Sequence, residues 1–249
     1  MNEIKIFKIR IHPLSKAEFL QVILKNLTSG EKTIQNGVNA SSVCEIEKNE
    51  ESRIAYLNSD LINIDGISVV WALRFLGFKI PERVACPDLA HDVLKLAETF
   101  HFRVFLLGAQ ETSLKLCVQE LMIRFPSLNI AGSHNGYFSE KDDLKIVELI
   151  NNVDSEILFL GMPSPRKELF IEKYKSLLKA RYVLGVGGYF DILSGLTKRA
   201  PEWMQKIGME WFYRFIQEPK RMFRRYLIGN ATFIWLVIKE KFFVPKDAN

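Results

Sequence analysis

Apolar runs alternate with helix-spaced segments through the middle of this chain. Val104–Leu107 is an unbroken apolar run ended by Gly108, as in a strand covered on both faces. Thr112–Phe125 then repeats apolar residues at Leu114, Cys117, Val118, Leu121 and Met122, the spacing of a helix with one buried stripe, and Pro126 closes it. Leu128–Ala131 predicts a second strand with Gly132 and Gly136 as turns. Asp142–Asn151 predicts a helix, Ile157–Leu160 a third strand, and Pro165–Leu178 a helix with proline in its first turn. Tyr182–Val186 is a fourth strand running into the glycines at 185, 187 and 188. Strands alternating with helices of this length predict a mainly parallel sheet with helices on both faces. In such sheets ligands bind beyond the carboxyl ends of the strands. Toward the N-terminus, Ile4–Ile9 alternates like a strand and Lys16–Leu27 has helical spacing. Leu57–Ile64 leads into Asp65-Gly66, and Gly66–Leu76 is again helix-spaced through Val69, Val70, Leu73 and Phe75. No internal repeat or low-complexity stretch interrupts this order.

Charge divides the chain where hydrophobicity does not. The 249 residues hold 34 Lys+Arg and 29 Asp+Glu, and the composition is that of a globular protein rather than a disordered, collagen-like or disulfide-built one. Residues 198–249 hold 11 basic and 5 acidic residues, a net of +6, leaving 23 basic and 24 acidic residues in 1–197. The same tail contains Trp203, Trp211 and Trp235, a break at Pro219, and the cluster Lys220, Arg221, Arg224 and Arg225. We therefore read 1–197 as an α/β body and 198–249 as a helical appendage. A solvated basic face is the default reading of the cluster. The interleaved Phe212, Tyr213, Phe215, Phe223 and Tyr226 suit nucleic acid or a helix lying on the protein body or a bilayer surface, but a near-neutral body argues against nucleic acid. No apolar run reaches the roughly 18 to 20 residues of a membrane span. Cys44, Cys86 and Cys117 form no CxxC pair, and the charged opening has no signal-peptide pattern, so reduced thiols in a cytoplasmic protein are expected.

The candidate chemistry is selective. GVGGYF at 185–190 has a phosphate-cradling look, yet Phe190 stands where a dinucleotide fingerprint needs its third glycine. His12, His91, His101 and His134 are scattered, no Asp-x-Asp is present, and no metal site is expected. GxSxG and the P-loop lysine motif are missing too. Asp65 ends an apolar strand before a glycine. Such an acid is commonly a helix N-cap, but this is also where an open α/β sheet presents a catalytic base.

Several short motifs occur in one order: LNSDLINIDGISVVWALRFLG (57–77), PERVACPDL (81–89), FLLGA (105–109), HNGYF (134–138), GMPSPRKELF (161–170), GVGGYFD (185–191), KRAPEW (198–203) and EWFYRFIQEPKRMFRRY (210–226). Together, over about residues 35–230, they resemble the WecG/TagA/CpsF glycosyltransferases. The resemblance implies a Rossmann-like α/β fold and a bacterial, inverting, metal- and cofactor-independent transferase. Such an enzyme moves N-acetylmannosamine, its uronic acid or a related hexose from a UDP-sugar to a polyprenyl-diphosphate-linked sugar for surface polysaccharide. It implies Asp65 as general base, Asn39 near the donor or acceptor sugar, and Arg214, Arg221 and Arg224 closing over the site to bind diphosphate. The motifs also bring Gly66, Arg83, Gly108, Gly136, Glu168, Gly187 and Asp191 forward as substrate-binding candidates. Lys220, Arg225 and the apolar 226–244 stretch would then face an anionic membrane on the inner side of the cell, with no nucleic acid partner and a homo-oligomer left open. Two positions depart from the family: Lys167 replaces a glutamine and Gly37 a threonine. Both suggest an altered donor, the lysine an acidic one. The competing class is a non-catalytic membrane-surface or nucleic-acid adaptor using the basic tail.

Overall fold

A computed structural model describes residues 3–217 and 219–243, apart from the side chains at 220–222 and 224–228. The chain opens with β1 (Ile4–Ile6) and β2 (Ile9–Ile11), an antiparallel hairpin, followed by α1 (Lys16–Ser29). Next come β3 (Thr33–Val38), α2 (Ala40–Lys48), α3 (Glu50–Leu57), β4 (Leu61–Ile64), α4 (Ile67–Phe75) and α5 (Cys86–Phe100). The second half runs β5 (Val104–Gly108), α6 (Glu111–Arg124), β6 (Ile130–His134), α7 (Asp143–Asn152), β7 (Ile157–Gly161), α8 (Arg166–Tyr174), β8 (Tyr182–Gly185) and α9 (Tyr189–Leu193). Three helices finish it: α10 (Glu202–Lys206), α11 (Glu210–Gln217) and α12 (Pro219–Phe243).

Strands β3 to β8 form one six-stranded parallel sheet in the order β4-β3-β8-β7-β5-β6. The fold is Rossmann-like α/β, as the alternation of strands and helices predicts. Alternate strand residues feed two cores. Val104, Leu106, Ile157, Phe159, Tyr182 and Leu184 pack with α1, α5, α6 and α9 on one face. Phe105, Leu107, Leu158, Leu160 and Val183 pack with α7 and α8 on the other. A third core joins the hairpin, α2 and α4 to Phe233, Leu236 and Val237 of α12, so the last helix is seated on the body.

Three sequence expectations shift. Ile4–Ile9 is not one strand, because Phe7 and Lys8 take positive φ (52° and 63°) and turn the chain back on itself. The third predicted helix starts after Pro165 and ends at Tyr174, four residues before Leu178. Leu128–Ala131 slides to Ile130–His134, with a register shift opposite Val104/Phe105. Strand β3, second from one edge of the sheet, has no counterpart in the sequence reading. Its Gln35 and Asn36 look like loop residues but are buried, where Gln35 donates to Asn63 Oδ1 (3.0 Å) and accepts from the Tyr182 hydroxyl (2.8 Å). Cys44, Cys86 and Cys117 are all buried and free.

Candidate active site

All six strands of the large sheet point their carboxyl ends the same way, so the loops that follow them share one edge. Asp65 follows β4, and Asn39 follows the neighbouring β3. Asn39 caps α2, accepting from Ser42 N through Oδ1 (3.2 Å), while its Nδ2 donates to Asp65 Oδ2 at 3.4 Å. The other carboxylate oxygen, Oδ1, accepts the backbone N–H of Cys86 (2.8 Å) at the start of α5. One oxygen of Asp65 is thus firmly fixed, and the other is held only by a long amide contact. That is the geometry of an oriented proton acceptor.

Two glycines make this approach possible. A Cβ at Gly66 would lie 2.8 Å from Asn39 Cβ and 2.9 Å from its Cα, so the two loops meet only because Gly66 has no side chain. At Gly37 a Cβ would overlap Cys86 Sγ and sit 3.1 Å from Asp65 Cβ. The space expected for a larger residue at 37 is therefore filled by the Cys86 thiol. Burial and the nearby Asp65 carboxylate keep that thiol protonated by pushing its pKa far up.

Arg83 bridges the body and the appendage. Its Nε donates to the Asp65 carbonyl oxygen (2.6 Å) and its guanidinium to Glu210 Oε2 of α11 (2.8 Å). The other Glu210 oxygen accepts from Arg199 (3.3 Å), whose guanidinium forms a bidentate pair with Asp88 of α5, one arm at 2.9 Å. Hydrogen bonding to Asp88 raises the Arg199 pKa, so this charge is permanent. Sequence reasoning missed Arg199, Glu210, Asp88 and Cys86. KRAPEW contains Arg199, but its bidentate partner Asp88 lies on α5, 111 residues away in the chain.

The remaining candidates spread along the edge. Gly108, at φ +144°, would place a Cβ 2.5 Å from Gly161 Cα, and Gly136 lies against Gly108 (Cβ 3.0 Å from its Cα), so these glycines serve backbone packing between β5, β6 and β7. Gly187 is in the left-handed region (φ +55°) with open space around it, and the next residue, Gly188, faces the Arg214 guanidinium. Asp191 accepts from Ser113 (2.7 Å) and ties α9 to α6. Glu168 is buried and accepts from Lys167, Ser164 (3.1 Å) and Tyr56 (3.2 Å). Lys167 thus spends its charge on a neighbouring carboxylate, which removes the basis for expecting an acidic donor. The side chains of Arg221 and Arg224, like those of Lys220 and Arg225, lie outside the described residues. Among the described residues no group of three or more His, Cys, Asp or Glu is placed to hold a metal ion.

The sequence model of the Glycosyl transferase WecG/TagA/CpsF family matches residues 4–247. The chain belongs to the WecG/TagA/CpsF glycosyltransferase family. It is 33% identical over 193 residues, 76% of its own length and 74% of the relative's, to the N-acetylglucosaminyldiphosphoundecaprenol N-acetyl-beta-D-mannosaminyltransferase of Bacillus subtilis (strain 168). The protein of the same name from Bacillus spizizenii (strain ATCC 23059 / NRRL B-14472 / W23) is 31% identical over 184 residues, 74% of this chain and 70% of that one. The protein is a glycosyltransferase, and the adaptor reading falls. No described helix of this WecG/TagA/CpsF member is long and apolar enough to cross a membrane.

Proposed function

We propose that the protein transfers an N-acetylmannosamine-type sugar, with inversion and without a metal, from a UDP-sugar to polyprenyl-diphosphate-linked N-acetylglucosamine in surface polysaccharide synthesis. The observation that carries this reading is the half-committed Asp65 carboxylate, fixed through Oδ1 by Cys86 N–H and reached at Oδ2 only by the Asn39 amide. Oδ2 takes the proton of the acceptor hydroxyl as that oxygen bonds to the anomeric carbon. The bond from that carbon to the β-phosphate oxygen breaks on the opposite face, and UDP leaves with the electron pair. The leaving charge needs cations. Arg83 and Arg199 are engaged by Glu210 and Asp88, and the family resemblance points to Arg214, Arg221 and Arg224 as the diphosphate ligands, suited to bidentate phosphate contacts. In this reading Asn39, Gly66 and Gly187 frame the sugar and phosphates, and the 198–249 appendage closes the site.

The same appendage is read as the membrane-facing element. Trp203 and Ile207 are 63% and 57% exposed, and Trp71 and Phe75 of α4 are 51% and 57% exposed. The turn at Gly208 seats on Trp71 and Ile67, and the Lys241 ammonium lies 5.2 Å over the Phe75 ring, so these residues are neighbours. Aromatic rings with interspersed cations suit an anionic lipid interface and peripheral attachment. The test is mass-spectrometric product analysis with a panel of UDP-sugars and a short-chain lipid-diphosphate-N-acetylglucosamine acceptor, in EDTA. Transfer from UDP-N-acetylmannosamine is expected in the wild type, and Asp65→Asn should abolish it while keeping UDP binding. Substantial turnover by Asp65→Asn, or strict dependence on added cation, rejects the scheme.

A further inference from the structure

The loop that follows β6 (135–139) is open on one side and gripped on the other. Tyr137, Phe138 and Ser139 line a cleft of about 610 Å³ with Lys145 and Leu149 of α7, so this side of the loop is not closed down on the helix. The grip comes from Arg166, the first residue of α8. Its guanidinium carbon lies 5.4 Å from the centre of the Phe138 ring and 5.8 Å from that of Phe170, and the two rings meet edge to face at 6.1 Å. A cation over an aromatic face is an attractive contact. The same guanidinium forms a two-armed pair with Asp143, the first residue of α7, one arm at 3.1 Å. Asp143 is 0% exposed, and a carboxylate so buried requires a hydrogen-bonded counter-ion. Asp143 thus fixes where the guanidinium sits, and the guanidinium fixes Phe138.

The gripped loop lies on the sheet edge that carries Asp65, but far along it. The Gly136 N–H donates to the Ala109 carbonyl (2.9 Å), and a Cβ at Gly136 would meet Gly108 Cα at 3.0 Å and Met162 Cγ at 3.1 Å. The loop therefore leans back over the ends of β5 and β7, which stand four and three places from β4. At about 4.8 Å per strand that is about 14–19 Å from Asp65, with the Gly187–Gly188 turn of β8 between them. A UDP-sugar whose anomeric carbon is at Asp65 covers this distance with its diphosphate and ribose, which brings its base to the loop. There the Tyr137 ring is 72% exposed, on a backbone whose N–H is bound by Asn135 Oδ1 at 3.0 Å. We propose that Arg166, paired with Asp143, is a positioning residue for donor binding: it holds Phe138 so that loop 135–138 stands ready for the nucleotide end of the UDP-sugar. The inference rests on the UDP-sugar reading of the site and adds to it a residue that acts only through Phe138.

The test measures calorimetric Kd for UDP, with KM and kcat for UDP-N-acetylmannosamine, in the wild type, Phe138→Leu, Arg166→Lys and the double variant Arg166→Met/Asp143→Asn. Phe138→Leu removes the ring and leaves the buried ion pair intact. The double variant removes both charges together, so no unpaired carboxylate is left inside. A loop in place only about a tenth of the time weakens apparent affinity about ten-fold. Phe138→Leu and the double variant should therefore raise the UDP Kd and the donor KM by about that factor. At saturating donor kcat should change little, because Asp65 lies at the other end of the edge. Arg166→Lys keeps a charge near Phe138 but loses the two-armed pair, and should fall between. A protein that was merely destabilised would lose kcat through its active fraction while KM and Kd stayed put. Unchanged Kd and KM in Phe138→Leu and the double variant overturn the proposal, as does a loss confined to kcat; if the double variant does not fold, Phe138→Leu decides. A wild type that binds no UDP rejects the UDP-sugar reading itself, and this proposal with it.

Discussion

Replacing Gly37 with alanine is a minimal change aimed at Asp65, the proposed base. The added methyl would overlap Cys86 Sγ and press to 3.1 Å from Asp65 Cβ, in a site where Gly37 and Cys86 are both buried. Overpacking of this kind costs about 1–3 kcal/mol of stability. The larger consequence is geometric. Cys86 must retreat, and its N–H is the 2.8 Å donor that fixes Asp65 Oδ1. A displacement of about 1 Å at a catalytic group costs about a hundred-fold in rate. Gly37→Ala is therefore expected to lower kcat by about that factor while KM for the donor changes little. Cys86→Ala keeps the backbone donor and should retain most activity. In the double variant the new methyl takes the space the sulfur leaves, and kcat should recover at least ten-fold over Gly37→Ala, about 1.4 kcal/mol of coupling. Steady-state kinetics on the four proteins, with melting curves to follow folding, measure the cycle. Additive losses would refute the steric account and return Gly37 to a role in direct substrate contact.

Glu210→Gln removes the charge shared by Arg83 and Arg199. Each charge-assisted bond contributes about 1.5–3 kcal/mol when protected, and partial exposure places the sum near the low end, about 2 kcal/mol. Faster proteolysis after Thr197 and a fall in kcat/KM of about ten-fold or more are expected; unchanged values for both would show that the clamp is ornamental. His12 accepts the Ile62 N–H on Nδ1 (2.9 Å), and burial, against the pull of Glu3, lowers its pKa below 6.5. The neutral form is the folded form, so its contribution is complete above about pH 6.5 and fades as pH falls through the lower folded value. Melting temperature should drop as pH falls below about 6.5, and His12→Asn should flatten that part of the profile; parallel profiles would exclude His12 as the cause.

The sequence was most readable where burial is uniform. β5, β7 and β8 are continuous apolar runs because helices cover both faces, and Asp65 was visible because it ends such a run. β3 was hidden for the opposite reason. Its buried Gln35 and Asn36 hydrogen-bond to Asn63, Tyr182 and Ser59, partners from other strands and loops that no local pattern can display. The site divides the same way. Asp65 and Asn39 were reachable through motif order, yet the donor that orients Asp65 is a backbone N–H, which carries no residue signature at all. Lys167 shows the reverse error. Its type suggested a free cation, and only the fold brings its ammonium onto Glu168.

The charge division along the chain also changes meaning once the partners are known. A net of +6 in the last fifth suggests a uniformly basic tail. The fold instead gives Glu210, an acid of that tail, to Arg83 of the body, and Asp88 of the body to Arg199 of the tail. The exchange is reciprocal, so each part leaves the other with an unpaired, half-buried guanidinium or carboxylate when they separate. Cutting the chain after Thr197 would therefore do more than remove the proposed diphosphate arginines. It would strand Arg83 against the Asp65 carbonyl without its counter-ion and strand Asp88 at the start of α5, whose first N–H holds the Asp65 carboxylate. Docking of the appendage and alignment of Asp65 are, on this geometry, one coupled event. A variant that keeps the tail but loses Glu210 separates that coupling from any role of the tail at a membrane.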